Sequence, residues 1–142
     1  AKKIADAFLP RAFRRPPTQE ATEAMVTAIT SAVADGRSFE KAVKEGIEVA
    51  LESPEFFFRL ESNSGKSIDD EKYPREVQQV DAFDLASRLS YFLWSSTPDN
   101  ELIKVASDGS LLELAVLEAQ VDRMLNDPKA ESGLVTQFFG QW

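Results

Sequence analysis

The chain contains no cysteine and no histidine. Those two absences together remove thiolate nucleophiles, disulfides, imidazole bases, haem attachment through a Cys-x-x-Cys-His run and ordinary zinc sites, so neither a metal nor a cofactor is expected. They leave the redox compartment open, because a disulfide-free domain suits cytoplasm and periplasm alike. No stretch approaches the roughly 20 apolar residues of a membrane span and no signal peptide is visible, which argues against membrane insertion. Positive charge is scarce as well: 16 Lys+Arg against 24 Asp+Glu leave a formal net charge of −8. The imbalance lies in the second half, since nine basic residues face ten acidic ones up to Glu61 and seven face fourteen thereafter. An acidic surface has no electrostatic attraction for phosphate backbones, so no nucleic-acid partner is expected. The one basic patch, Arg11, Arg14 and Arg15 beside Pro16-Pro17, is read as solvating a helix end and its dipole.

What is present is enough for a core. Of 142 residues, 43% are hydrophobic and 28% charged, the composition of a globular domain. The pattern is helical throughout. Lys3 to Arg14 has helical spacing through Ile4, Ala7, Phe8 and Phe13, with Pro10 predicting a kink or two short pieces. Thr18 caps a helix whose apolar set, Ala21, Ala24, Met25, Ala28, Ile29, Ala32 and Val33, falls on one face and ends at Gly36. Ser38 caps a second helix through Phe39, Ala42, Val43, Gly46, Ile47, Ala50 and Leu51, making an antiparallel hairpin. Ser53-Pro54 stops that helix and opens a short aromatic one to about Glu61, whose Phe56-Phe57-Phe58 run cannot lie on a single face.

Residues 1–61 are thus expected to form a first helical subdomain. A Ser/Asn/Gly-rich and acidic stretch within residues 62–78 reads as a linker, and 79–142 as a second helical subdomain, about seven helices in all with no β-sheet. In the second subdomain Asp81 caps a helix to about Ser95 that is apolar on nearly all sides and therefore central. Thr97-Pro98 is expected to start the next helix, Ser107-Asp108-Gly109 to end it, and a further helix to run from Glu113 to Asn126. Asp127-Pro128 opens the last, carrying Leu134, Val135, Phe138, Phe139 and Trp142. Exposed aromatics at a natural terminus would be hazardous, and the chain begins Ala-Lys-Lys without an initiator methionine. Both features predict an excised piece, truncated at its C-terminus.

Candidate sites are few. Asp84 and Arg88 stand four apart on the most apolar helix, in the order that suits a buried ion pair. Such a pair could orient a ligand carboxylate or sugar hydroxyl, although a satisfied structural pair is the ordinary reading. Asp81 with Asp84 is the one carboxylate pair on an apolar background that could serve a glycosidase, but capping explains Asp81 better. Ser95-Ser96-Thr97 beside Trp94 could supply a nucleophile or a sugar platform, yet no histidine base exists and capping at Thr97 is the plainer account. Phe138, Phe139 and Trp142, with Phe56 to Phe58, are either a docking surface or core whose cover lies elsewhere. No catalytic set emerges.

Several runs carry a resemblance. Phe13-Arg14-Arg15-Pro16, then Gly36-x-Ser38-Phe39 and Ser53-Pro54-x-Phe56-x-Phe58-Arg59, resembles the first of two adjacent planctomycete-specific domain families of unknown function. Asp84 to Ser96, with its Arg88-Leu89-Ser90-Tyr91-Phe92-Leu93-Trp94 core, is similar to the start of the second, as are Pro98-Asp99-x-Glu101-Leu102, Val116 to Val121 and Phe139-Gly140-Gln141-Trp142. The resemblance implies a module of large, exported proteins that often also carry a c-type cytochrome domain, with no catalytic motif to transfer. Together with the missing nucleophiles and bases and the aromatic terminus, it leads to the expectation of a helical interaction or scaffolding module whose partners are other domains of the same full-length chain, and by itself it implies an exported or periplasmic location. A carbohydrate-binding or carbohydrate-processing part of a larger enzyme is the alternative.

Overall fold

Hydroxyl and carboxylate side chains set most of the helix starts in the computed structural model, which describes residues 1–58, 63–68 and 77–141. The chain divides into two compact units, Ala1–Leu60 and Glu61–Trp142. The helical fold class inferred from the sequence holds in both.

The first unit contains α1 (Lys2–Phe13), α2 (Gln19–Ala34), α3 (Phe39–Leu51) and α4 (Pro54–Phe57). Thr18 and Ser38 each accept the backbone N–H three residues on, at 3.2 and 3.4 Å, and Ser53 accepts that of Glu55 at 3.2 Å. Gly36 closes α2 at φ 79°, a left-handed turn for which the absence of a side chain removes the steric penalty. Along the α2–α3 contact Gly46 lets the helices approach closely: a Cβ there would stand 2.5 Å from Ile29 Cγ1. Ala5, Leu9, Phe13, Met25, Ile29, Ala32, Ala42 and Ala50 form the core.

Two details are decided here. Of the alternatives at Pro10, a kink or two short pieces, the second is excluded, since α1 is one continuous helix with Pro10 inside it. Proline costs one backbone bond to the preceding turn, and Leu9 and Phe13, both buried, hold the helix on either side of it. The aromatic helix is only four residues long and Phe58 is already extended, while 59–62 lie outside the described residues. Phe56 packs on the core, whereas Phe57 and Phe58 are exposed.

The second unit opens with an element the sequence did not announce, a two-stranded antiparallel ribbon of β1 (Asn63–Ile68) and β2 (Val77–Val80). It lies within the stretch read as linker, of which 62 and 69–76 are outside the described residues. Asn63 pairs with Val80, Ser67 with Gln78 and Ile68 with Val77, with an irregularity between Asn63 and Ser67. The paired residues mix Ile68, Val77 and Val80 with Asn63, Ser67 and Gln78 in no period-two order, so no alternating apolar pattern betrays the ribbon.

Helices α5 (Ala82–Trp94), α6 (Asn100–Ser107), α7 (Leu114–Leu125) and α8 (Pro128–Ala130) follow, with a 3-10 turn at Ser110–Leu112 before α7. Asp81 caps α5 through Phe83 N–H at 2.9 Å, and Asp127 caps α8 through Lys129 N–H at 2.9 Å. The cap of α6 is Asp99, which accepts Leu102 N–H at 2.9 Å, and not Thr97. Pro98 is buried just before that cap, so the helix begins after it. Beyond α8 the chain winds as a π-helix over Glu131–Phe138, and the Thr136 hydroxyl donates to the Glu131 carbonyl five residues back at 3.2 Å. The core is Ala82, Ala86, Leu93, Trp94, Leu102, Ala106, Leu111, Met124 and Ala130.

Candidate functional site

The end of α5 is fixed from two sides. Trp94, 4% exposed, donates its indole N–H to the Met124 carbonyl at 2.9 Å. Lys129 and Arg123 stand over its ring, 4.5 and 5.5 Å from the centroid, adding cation–π attraction. Arg123 forks onto Asp99 at 2.8 and 3.2 Å, and its Nε reaches Gln120 Oε1 at 2.9 Å and Glu101 at 3.2 Å. Gln120 in turn donates to Glu101 at 3.1 Å.

Burial by itself would raise the Asp99 carboxyl. Hydrogen bonds from Arg123 and the Leu102 N–H, with the charges of Arg123 and Lys129, outweigh it and hold Asp99 below its ordinary value. The Asp99 bond, against partial burial and helped by Glu101 and Asp127, raises Arg123. This network ties α6, α7 and α8 around Trp94, and it locks a scaffold rather than exposing a reactive group.

Gly133 completes the anchor. A Cβ there would lie 2.5 Å from Trp94 C and 2.6 Å from both Leu93 O and Trp94 Cα, so the π-helix rests directly on the backbone at the end of α5. Ser95 follows Trp94 in a left-handed conformation, φ 50°, and ends α5.

On the outer side of this joint the aromatic rings gather. Phe92 and Phe138 meet edge to face at 5.7 Å, and Phe138 meets Phe139 likewise at 5.2 Å. All three remain substantially exposed, at 55%, 42% and 62%, with Tyr91 and Val135 also exposed. A shallow notch of about 240 Å³ opens between them, lined by Tyr91, Phe92, Ser95, Gly133, Gln137 and Phe138. Among the described residues it presents rings, hydroxyls and a carboxamide, and no charged side chain.

Of the residues singled out in the sequence, Phe138 and Phe139 are brought together, and Trp142 lies outside the described residues. Asp84 is buried at 3% exposure while Arg88 is exposed; both are engaged in interactions. Asp81 is a cap, and Ser95, Ser96 and Thr97 are exposed turn residues. Trp94 is an internal anchor instead of a platform. Sequence reasoning missed Phe92 as the third ring and Arg123 as the hub; the only signal for the hub was an arginine on α7 with acids at the start of α6. Among the described residues no group of three or more carboxylate, thiol or imidazole side chains gathers to hold a metal ion, and no helix is long and apolar enough to cross a membrane.

The chain is therefore a pair of helical units with an aromatic face on the second. Residues 1–61 match the family described as PSD5, a protein of unknown function (DUF1595). Residues 80–142 match the family described as PSD4, a protein of unknown function (DUF1592). No curated protein and no solved structure matches the chain.

Proposed function

We propose that the chain is an interaction module of a larger, exported multidomain protein, which docks through Phe92, Phe138 and Phe139 onto another domain of the same polypeptide. The contiguous exposed ring cluster carries this reading: three aromatic side chains held in solvent by a rigid anchor form a preorganised apolar anchor of the kind that dominates interfaces. The net charge of −8 speaks against nucleic acid. The exported setting, and a c-type cytochrome domain among the neighbours, rest on the resemblance of the sequence runs. The double variant F92A/F139A removes exposed rings, so it should fold normally. Titrating residues 1–142 into the remaining domains of the full-length protein by calorimetry should show binding that the double variant weakens at least about tenfold. Absence of binding, or equal affinity of the variant, would defeat the proposal.

A second reading, carbohydrate binding within a larger enzyme, is favoured by the notch. The Tyr91 and Ser95 hydroxyls and the Gln137 carboxamide flank the Phe92 and Phe138 rings, a set able to stack on and hydrogen-bond a sugar ring. Among the described residues no carboxylate lines it, which fits binding and not hydrolysis. Titration with soluble xylan and laminarin that yields no heat removes this reading.

A further inference from the structure

A cleft of about 550 Å³ opens in the first unit, where the end of α1, the first turns of α2 and the α3–α4 junction meet. That volume falls in the range of roughly 300–1,000 Å³ typical of ligand sites. The cleft exists because the side chains facing it from α2 and α3 are short. Farther along, Gly46 brings α3 against Ile29, but here Ala21, Ala24 and Ala50 leave the space between the helices unfilled. Phe13 and Val49 complete an apolar surface, with Phe13 buried and Val49 36% exposed toward the opening.

The charged groups that line this cleft share one sign: Glu20, Glu52 and Glu55 stand beside the neutral Thr18 and Ser53, and among the described residues no lysine or arginine lines it. Glu55 is held in place: it accepts the Thr18 hydroxyl at 3.2 Å and, through its other oxygen, the Ser53 hydroxyl, so the cap residues of α2 and α4 orient one carboxylate. Glu20 and Glu52 are exposed and free to swing toward a bound cation. An apolar floor ringed by three carboxylates repels anions and leaves a neutral apolar guest without a partner for its rim. Its complement is a cation on an apolar stem.

Arginine meets both requirements. Its methylenes can lie over Ala21, Ala24 and Val49, and its planar fork suits carboxylate oxygens two at a time in a way an ammonium does not. The partly open Val49 side leaves room for the residues that flank such a side chain. We propose that this cleft receives an arginine side chain from an apolar segment of a partner polypeptide, at a site separate from the aromatic face.

The test uses residues 1–142 and a fluorescein-labelled Gly-Leu-Arg-Leu-Gly peptide, followed by anisotropy at 50 mM salt. The arginine peptide should bind. Replacing its arginine by citrulline, equal in shape and uncharged, should weaken binding at least about tenfold, as should E20Q/E52Q. Raising salt to 300 mM should lower the affinity severalfold. Both glutamates are exposed, so the E20Q/E52Q melting curve should match that of the parent. A24L, at an exposed position, fills the floor without touching charge and should also abolish binding. Failure of the arginine peptide to bind at millimolar concentration overturns the proposal. So does equal binding of the citrulline peptide, indifference to E20Q/E52Q, or butylguanidinium alone binding as tightly as the peptide.

Discussion

Replacing Gly133 by alanine tests the joint on which the aromatic face is built. The new Cβ would stand 2.5 to 2.6 Å from Trp94 C, Trp94 Cα and Leu93 O. These are backbone atoms, so no rotamer change relieves the contact and the π-helix must move off α5. Overpacking of this kind costs about 1–3 kcal/mol, and alanine returns up to about 1 kcal/mol in helix propensity. Because the obstacle is rigid, the overpacking belongs at the upper end, leaving a net loss of about 1–2 kcal/mol. For a unit of this size each kcal/mol moves Tm by about 4–8 °C, so a fall of roughly 5–15 °C is expected in a circular-dichroism melt. Gly140 is the control, since its added Cβ would meet only Val135 O at 3.5 Å, an ordinary contact, and G140A should change Tm little. A G133A protein as stable as the parent, or one no worse than G140A, would refute the close approach.

In the first unit G46A should destabilise by about 1 kcal/mol, less than G133A, because the atoms met belong to the Ile29 and Met25 side chains, which can shift; urea unfolding reads this directly. R123M should cost about 1–2 kcal/mol at pH 7, the scale of a partly exposed, hydrogen-bonded charge pair. The Asp99 carboxyl is lowered in the folded state, so its contribution is complete above the unfolded value of about 3.9 and is lost as pH falls through the folded one. Urea curves at pH 7, 4 and 3 should therefore show parent and R123M converging on acidification, and a constant gap would contradict the bridge. W94F removes the donor to the Met124 carbonyl and also shrinks a buried ring, so it should cost about 2–3 kcal/mol in the same assay; a cost below about 0.5 kcal/mol would contradict the anchoring role of Trp94.

Local chemistry was the legible part of this chain. Thr18, Ser38, Ser53, Asp81 and Asp127 each cap the helix that the sequence assigns to them, because a cap depends on residues within one turn. Gly36 and Gly109 stop helices in left-handed turns for the same reason. What depends on distant contacts was not legible. Thr97 and Asp99 are both competent caps, and the choice falls to Asp99, whose carboxylate is also gripped by Arg123 from 24 residues away. The β1–β2 ribbon is a backbone pairing without a side-chain pattern, so it left no trace in composition. A 3.6-residue period cannot describe the π-helix, and so Phe138 faces outward toward Phe92 while Gly133 and Leu134 face the core. Phe138 and Phe139 stood out in the sequence as apolar residues in need of cover, but Phe92 was hidden inside a helix that looked wholly internal.

Hydroxyl-radical footprinting of Phe92, Phe138 and Phe139, read by mass spectrometry in residues 1–142 alone and in the full-length protein, tests the docking face most directly. The three rings should oxidise readily in the shorter chain and be protected several-fold in the longer one, while exposed Phe39 in the first unit reacts alike in both. Equal labelling of all three rings in the two proteins would contradict a face covered by a neighbouring domain.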